Sequence, residues 1–315
     1  MVKTALLFPG QGAQYVGMGR ELFENFNEAK EIFQIADKIL GFSIGNLCFN
    51  GDKDELSLTE NAQPAILTTS IAILQILKKY GVKYEAAAGL SLGEYSALVC
   101  SNALKFEDTV SLVRKRGQFM KDAVIGIDGG MTAVIGLNEE KVKCICDEAG
   151  KYGVIEIANF NCPGQIVISG EKNALINAHS LISKQGGRFT PLNVSGPFHT
   201  SLLMPAAEKL YNELAKVHID KFNIPVLTNL TGDFIDENED LRLILKKQVM
   251  SSVRWEDTIR KLIEHGFNTF IEVGPMKVLS MFVKRIDRKV NVMNVEDMES
   301  LKKTIECLEE SYVKG

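Results

Sequence analysis

The chain has 315 residues, enough for one large domain or for a core that carries an insertion. Its 45% hydrophobic and 24% charged residues are ordinary for a soluble globular enzyme. A net charge of -4 gives no basic excess of the kind that nucleic acid attracts, and no apolar run approaches the ~20 residues of a membrane helix, so neither partner is expected.

The first apolar run, Ala5 to Phe8, is too short for a signal-peptide core, and a cytoplasmic location is expected. Thr4–Phe8 reads as a buried strand, followed by the turn-rich Pro9-Gly10-Gln11-Gly12. A helix is predicted over residues 68–79. A short buried strand at 85–89 then runs into Ser91 and a further helical run. The spacing predicts a long helix over 106–124. Residues 128–198 have their own rhythm: strand 131–137, helix 139–148, strand 154–159, strand 165–169, helix 171–185 and strand 189–194. That βαββαβ order is the ferredoxin-like unit. Asp128-Gly129-Gly130 before it and Ser195-Gly196-Pro197 after it are candidate hinges. Beyond it lie helix 201–216, strand 223–228, helix 255–265, strands 269–273 and 290–295, and helix 298–312. The alternation is that of an α/β protein with a small inserted domain.

Six cysteines stand at 48, 100, 144, 146, 162 and 307, with no zinc-knuckle or CxxC spacing. They read as reduced thiols used as small core residues, and no metal site is expected.

Gly89-Leu90-Ser91-Leu92-Gly93 fits G-x-S-x-G between a buried strand and a helical run, the context of a nucleophile elbow. So tight a turn excludes side chains at the flanking glycines. It lifts the serine hydroxyl to a helix N-terminus, where backbone N–H groups can face a forming oxyanion. The bland alternative is a glycine turn with a capping serine. A serine nucleophile needs a base, and the chain has four histidines. His265 suits a helix C-terminus. His179 lies in the second helix of the insert, and His218 looks like a connector. His199, in Gly196-Pro197-Phe198-His199-Thr200-Ser201, precedes a long predicted helix whose N-terminus would keep the ring neutral. It is the candidate base; the alternative is a histidine that packs or caps.

In helix 106–124, Phe106, Val110, Val113, Gly117, Met120 and Val124 form one apolar stripe at 100° per residue. Glu107, Asp108, Arg114, Lys115, Lys121 and Asp122 fall opposite. Arg116 alone among the charges falls within the apolar face, between Leu112 and Phe119 on one side and Val113 and Met120 on the other. A buried arginine is costly unless it meets an anion. It is either a fork for a substrate carboxylate, or part of an internal salt bridge, or a side chain that snorkels out.

These segments together resemble the malonyl-CoA:acyl carrier protein transacylase family over nearly the whole chain. The similar motifs are Phe8-Pro9-Gly10-Gln11-Gly12-Ala13-Gln14, residues 89–99, Arg116-Gly117-Gln118-Phe119-Met120, Asn159-Phe160-Asn161-Cys162-Pro163-Gly164-Gln165, Ser195-Gly196-Pro197-Phe198-His199 and Glu272-Val273-Gly274-Pro275. The resemblance implies an α/β-hydrolase-like large domain with a parallel sheet, residues 1–127 and 199–315, and a ferredoxin-like small domain, 128–198. It implies a ping-pong transfer of the malonyl group from malonyl-CoA, through Ser91, to the phosphopantetheine thiol of acyl carrier protein, in fatty acid biosynthesis. His199 is then the base and Gln248 the residue whose carbonyl orients it. Backbone N–H groups of Gln11 and Leu92 form the oxyanion hole, Arg116 binds the malonyl carboxylate, and Asn159 and Phe198 contact substrate. Phe198 matches malonyl-selective members. Leu90 departs from the histidine that the family commonly has before the serine. No cofactor is needed, and a monomer is expected. The rival readings are a serine hydrolase, against which Arg116 argues, and a non-catalytic carrier-binding protein, against which Ser91, His199 and Arg116 together argue. Lys277, Lys284, Arg285, Arg288 and Lys289 are either a docking patch for an acidic carrier or a solvated helix face.

Overall fold

The computed structural model describes residues 2–314. Strand β1 (Thr4–Phe8) leads through the loop at 9–12 to α1 (Arg20–Asn25), α2 (Asn27–Leu40), α3 (Ile44–Asn50) and α4 (Lys53–Ser57). Local chemistry sets two of these breaks. Gly41, at φ 74°, ends α2 in the left-handed conformation. The Asp52 side chain accepts the N–H groups of Asp54 and Glu55 and so starts α4. Next come α5 (Thr59–Lys79), β2 (Ala86–Gly89), α6 (Leu92–Cys100) and α7 (Phe106–Ala123). The insert region follows: β3 (Gly129–Ile135), α8 (Glu139–Ala149), β4 (Ile155–Cys162), β5 (Gln165–Glu171), α9 (Lys172–Lys184) and β6 (Arg188–Pro191). The chain ends with α10 (Met204–Leu214), α11 (Leu241–Gln248), α12 (Trp255–Glu264), β7 (Thr269–Val273), α13 (Val278–Ile286), β8 (Asn291–Val295) and α14 (Met298–Lys314).

Among the described residues these strands form two four-stranded sheets. The first, ordered β2-β1-β7-β8, is parallel throughout. Strands β1, β2 and β7 are buried at every position, as a sheet covered on both faces requires. One face meets the core that contains Phe33, Leu67, Tyr95 and Val113. The other meets Trp255, Ile259 and Phe282 from α12 and α13. The second sheet, ordered β4-β5-β3-β6, is antiparallel. It packs Val134, Ile166 and Ile168 against α8 and α9, while Met131, Ala133 and Val167 belong to the larger core. Asn159 on β4 bridges to Val253, which ties this sheet to the segment after α11.

Three expected elements differ. Residues 223–228 make only isolated bridges, Ala87 to Val226 and Leu227 to Phe234, rather than a strand; Pro225 lacks the N–H that a ladder needs. The helix expected from residue 68 begins at Thr59, because Pro64 near its start is accommodated. The helix expected at 201–216 opens as a 3₁₀ turn, Ser201–Leu203, before α10.

Candidate active site

β1 and β2 run side by side with Phe8 opposite Gly89. Ser91 follows β2 at the N-terminus of α6 with φ 53° and ψ -103°, a strained conformation for a residue with a side chain. The packing shows why glycines surround it. A Cβ on Gly89 would lie 1.9 Å from the Gly93 carbonyl carbon, and one on Gly93 would lie 2.0 Å from the Phe8 oxygen. The bend is clamped on both sides: Ser91 N–H donates to Asn229 Oδ1, and the Ser91 carbonyl accepts from Gln248 Nε2 at 2.8 Å.

His199, also at positive φ (59°), places Nε2 2.8 Å from Ser91 Oγ. Its Nδ1 lies 3.1 Å from the carbonyl oxygens of both Gln248 and Ser251. Carbonyls only accept, so Nδ1 carries the hydrogen and Nε2 offers its lone pair to the serine hydroxyl. Burial first, and then the charge of Arg116, push the histidine down to a pKa of about 4. The ring is therefore neutral at physiological pH. Burial and a neighbouring cation lower its pKa, while the helix expected to follow the histidine begins only at Met204. The other histidines lie elsewhere. His179 bonds Thr132 and stacks on Phe189, His218 meets Asp220, and His265 meets the Lys261 carbonyl.

Arg116 is 1% exposed, on the face of α7 that packs inward. Its Nη1 donates to Gln63 Oε1 at 2.8 Å. Its Nη2 donates to Ser91 Oγ at 3.2 Å and to Gln248 Oε1 at 3.1 Å. All three partners are neutral oxygens, and the side chain stacks near the Tyr95 ring, 5.4 Å away. None of the ion pairs among the described residues includes Arg116. Of the readings open at the sequence, the salt bridge and the snorkelling side chain are thus excluded. Its Nε has no hydrogen-bond partner.

Ser91, Arg116 and His199 open on one cleft of about 440 Å³. Gln11, Asn159 and Phe198 line it too, as do Leu90 and, from α13, Val278, Leu279 and Phe282. The parallel sheet thus supplies the floor and the antiparallel sheet one wall. Leu92 and Gln248 do not line the cleft. Leu92 is the first residue of α6, so its N–H has no partner within the helix.

The acyl transferase domain model matches residues 5–306. The chain belongs to the acyl transferase domain family. Among its relatives is the malonyl CoA-acyl carrier protein transacylase of Bacillus subtilis, 47% identical over 312 residues and 98% of each chain. A crystal structure of malonyl CoA-acyl carrier protein transacylase from Clostridium perfringens superposes with a TM-score of 0.97 at 51% identity, covering 99% of each chain. A malonyl-transacylase solved in complex with its type II PKS acyl-carrier protein gives a TM-score of 0.94 at 36% identity, covering 96% of this chain and 99% of that one.

Within this acyl transferase domain, four contributions lie outside the residues that the sequence motifs single out. Gln63, Glu94, Asn229 and the side chain of Gln248 form the buried polar shell behind Ser91 and Arg116. Glu94 alone left a signal of the kind that marks Arg116: a charge inside a helix, α6, buried at every position.

Proposed function

We propose that the chain moves a malonyl group from malonyl-CoA to the phosphopantetheine thiol of acyl carrier protein, as an S-malonyltransferase of fatty acid biosynthesis. The reading is carried by a fully buried guanidinium, bonded only to neutral oxygens, beside a serine already hydrogen-bonded to a neutral histidine.

The geometry supports the following steps. Ser91 Oγ attacks the thioester carbonyl carbon while its proton passes to His199 Nε2. The oxygen that becomes negative is received by the N–H groups of Leu92 and Gln11. The carbon–sulfur bond breaks, the CoA sulfur takes the proton from Nε2, and a malonyl ester on Ser91 remains. The carrier thiol then gives its proton to Nε2 and attacks the ester; the carbon–oxygen bond breaks and Ser91 recovers the proton. This is a ping-pong scheme. His199 is oriented by the Gln248 and Ser251 carbonyls, so it needs no acidic third member. Arg116 keeps its bond to Gln248 and exchanges the one to Ser91 Oγ for the malonyl carboxylate, an anion that binds a fork in two parallel bonds, here through Nη2 and the unpartnered Nε. Phe198 and Asn159 shape the acyl pocket, and Leu90 makes the wall beside Ser91 apolar. No cofactor enters any step.

The reading extends to architecture. Residues 1–127 and 199–315 form an α/β-hydrolase-like body, and 128–198 form a ferredoxin-like domain, supported by the βαββαβ order and the strand order β4-β5-β3-β6. We place the enzyme in the cytoplasm as a monomer.

Intact-mass measurement after mixing with malonyl-CoA tests the reading. The protein should gain one malonyl group, the Ser91→Ala variant none, and acyl carrier protein should remove it as malonyl-carrier. A wild-type protein that gains no adduct, or loses it to water as fast without carrier, would overturn the proposal.

A further inference from the structure

Behind the cleft sits a buried acid that the steps above do not use. Glu94 is 0% exposed, in the first turn of α6. Its Oε2 accepts two N–H groups, from the Asn229 backbone at 3.0 Å and from Gln248 Nε2 at 2.9 Å. Both partners grip the elbow. Asn229 accepts from Ser91 N–H through Oδ1 and donates to the Gly89 carbonyl through Nδ2 at 2.7 Å. Gln248 donates to the Ser91 carbonyl, accepts from Arg116 through Oε1, and accepts from His199 through its own carbonyl. One carboxylate oxygen therefore stands behind the serine, the histidine and the arginine.

We infer that Glu94 is a positioning residue: as a fixed acceptor it sets which way the Gln248 amide points, and so holds Ser91 and Arg116 in register. The chemistry of an amide gives such an acceptor its role. A glutamine can be turned end for end in the same volume. Turned over, Gln248 would point an oxygen at the Ser91 carbonyl and an NH₂ at Arg116, two repulsive contacts. The Ser91 carbonyl and the Arg116 guanidinium each resist the flip through one bond; Glu94 Oε2, which accepts from the same NH₂, adds a third. Asn229 is held likewise, since its backbone N–H is anchored on the same oxygen while its side chain spans Gly89 and Ser91. The elbow conformation is strained, so it persists only while such contacts over-determine it. Glu94 acts through these two amides and touches no reacting atom.

This inference rests on the proposed malonyl transfer and is tested by two variants that pull acceptor geometry and the acidic group apart. In Glu94→Gln a carbonyl oxygen occupies the place of Oε2 and accepts both N–H groups, but the acidic group is gone. In Glu94→Asp the carboxyl group stays and the acceptor retreats by one carbon–carbon bond. The readout is the rate of malonyl-serine formation by rapid quench and intact mass, per folded protein, with melting temperature measured in parallel. Glu94→Gln should acylate within about threefold of wild type, because the acceptor count at that point is unchanged. Glu94→Asp should fall roughly a hundredfold, the usual consequence of a reacting group misplaced by about 1 Å. Glu94→Asp should also lose preference for malonyl-CoA over acetyl-CoA, because Gln248 no longer holds Arg116. Three results would overturn the inference: Glu94→Asp acylating like wild type, both variants falling equally, or melting temperatures dropping with rates per folded protein unchanged. Failure of the wild type itself to form malonyl-serine would instead sink the proposed function, so the two failures are distinct.

Discussion

The two sheets treat their backbones differently. In the parallel sheet, β1, β2 and β7 are wholly buried, and a methyl group on Gly89, or on Gly93 in the helix that follows β2, would strike main-chain atoms at about 2 Å. In the antiparallel sheet, β6 is exposed at three of its four positions; Gly129 and Gly170 are also packed on main-chain atoms, but a Cβ on Gly130 of β3 would meet nothing within 4 Å. The proposed nucleophile sits where the main chain cannot relax. The second sheet lends the cleft a wall through Met131, Ala133 and Asn159, and a wall tolerates small shifts that a nucleophile does not.

That contrast can be broken by paired substitutions. The largest effect belongs to Gly93→Ala. Relief of a 2.0 Å contact with the Phe8 oxygen must move β1 or the elbow, so malonyl-serine formation should fall at least ~100-fold. Unfolding free energy should fall by about 1–3 kcal/mol. Gly130→Ala, the counterpart in the antiparallel sheet, should leave acylation unchanged and raise stability by up to about 1 kcal/mol, since the added methyl mainly restricts the unfolded chain. Denaturant titration and quench kinetics on both variants decide the matter. Equal losses would erase the distinction between floor and wall.

An intermediate effect lies in pH. His199 titrates at about 4 in the folded protein, below the ordinary 6.5. Its neutral, basic form is therefore present down to about pH 5. The kcat/KM for acylation should stay flat between pH 8 and roughly 5 and fall to half near 4, rather than near 6.5. The stability sign is consistent. Between 6.5 and 4 the unfolded chain binds a proton that the folded one does not. The contribution, on the order of 3 kcal/mol, is full above 6.5 and is lost as pH falls through 4. An acid limb centred on 6.5 would mean that His199 is better solvated than its burial implies.

Legibility followed the same divide. Ser91 and Arg116 stood out because each breaks a local pattern: a serine between obligatory glycines, a cation inside an apolar face. The order of β3 to β6 was readable because its strands alternate with amphipathic helices over short distances. In α5 the reading starts late, since a helix buried nearly all round shows no polar stripe and its Pro64 imitates a loop. The contacts of the polar shell were illegible for a different reason. Glu94 meets Asn229 across 135 positions and Gln248 across 154, so only the folded chain brings them together. Residues 223–228 were misread because apolar and β-branched side chains suggest a strand, while Pro225 denies it a ladder.

The central claim is that Arg116 is held without a direct ion-pair partner, for the carboxylate of the acyl group. The direct measurement offers the wild type and Arg116→Ala equal concentrations of malonyl-CoA and acetyl-CoA and reads, by intact mass, which acyl group Ser91 carries. Wild type should take malonyl almost exclusively. Arg116→Ala should lose malonyl transfer by roughly two orders of magnitude or more, the scale of removing a charged partner from a buried ionic contact, while its share of acetyl-serine rises. An Arg116→Ala enzyme whose malonyl and acetyl acylation fell together would contradict the account.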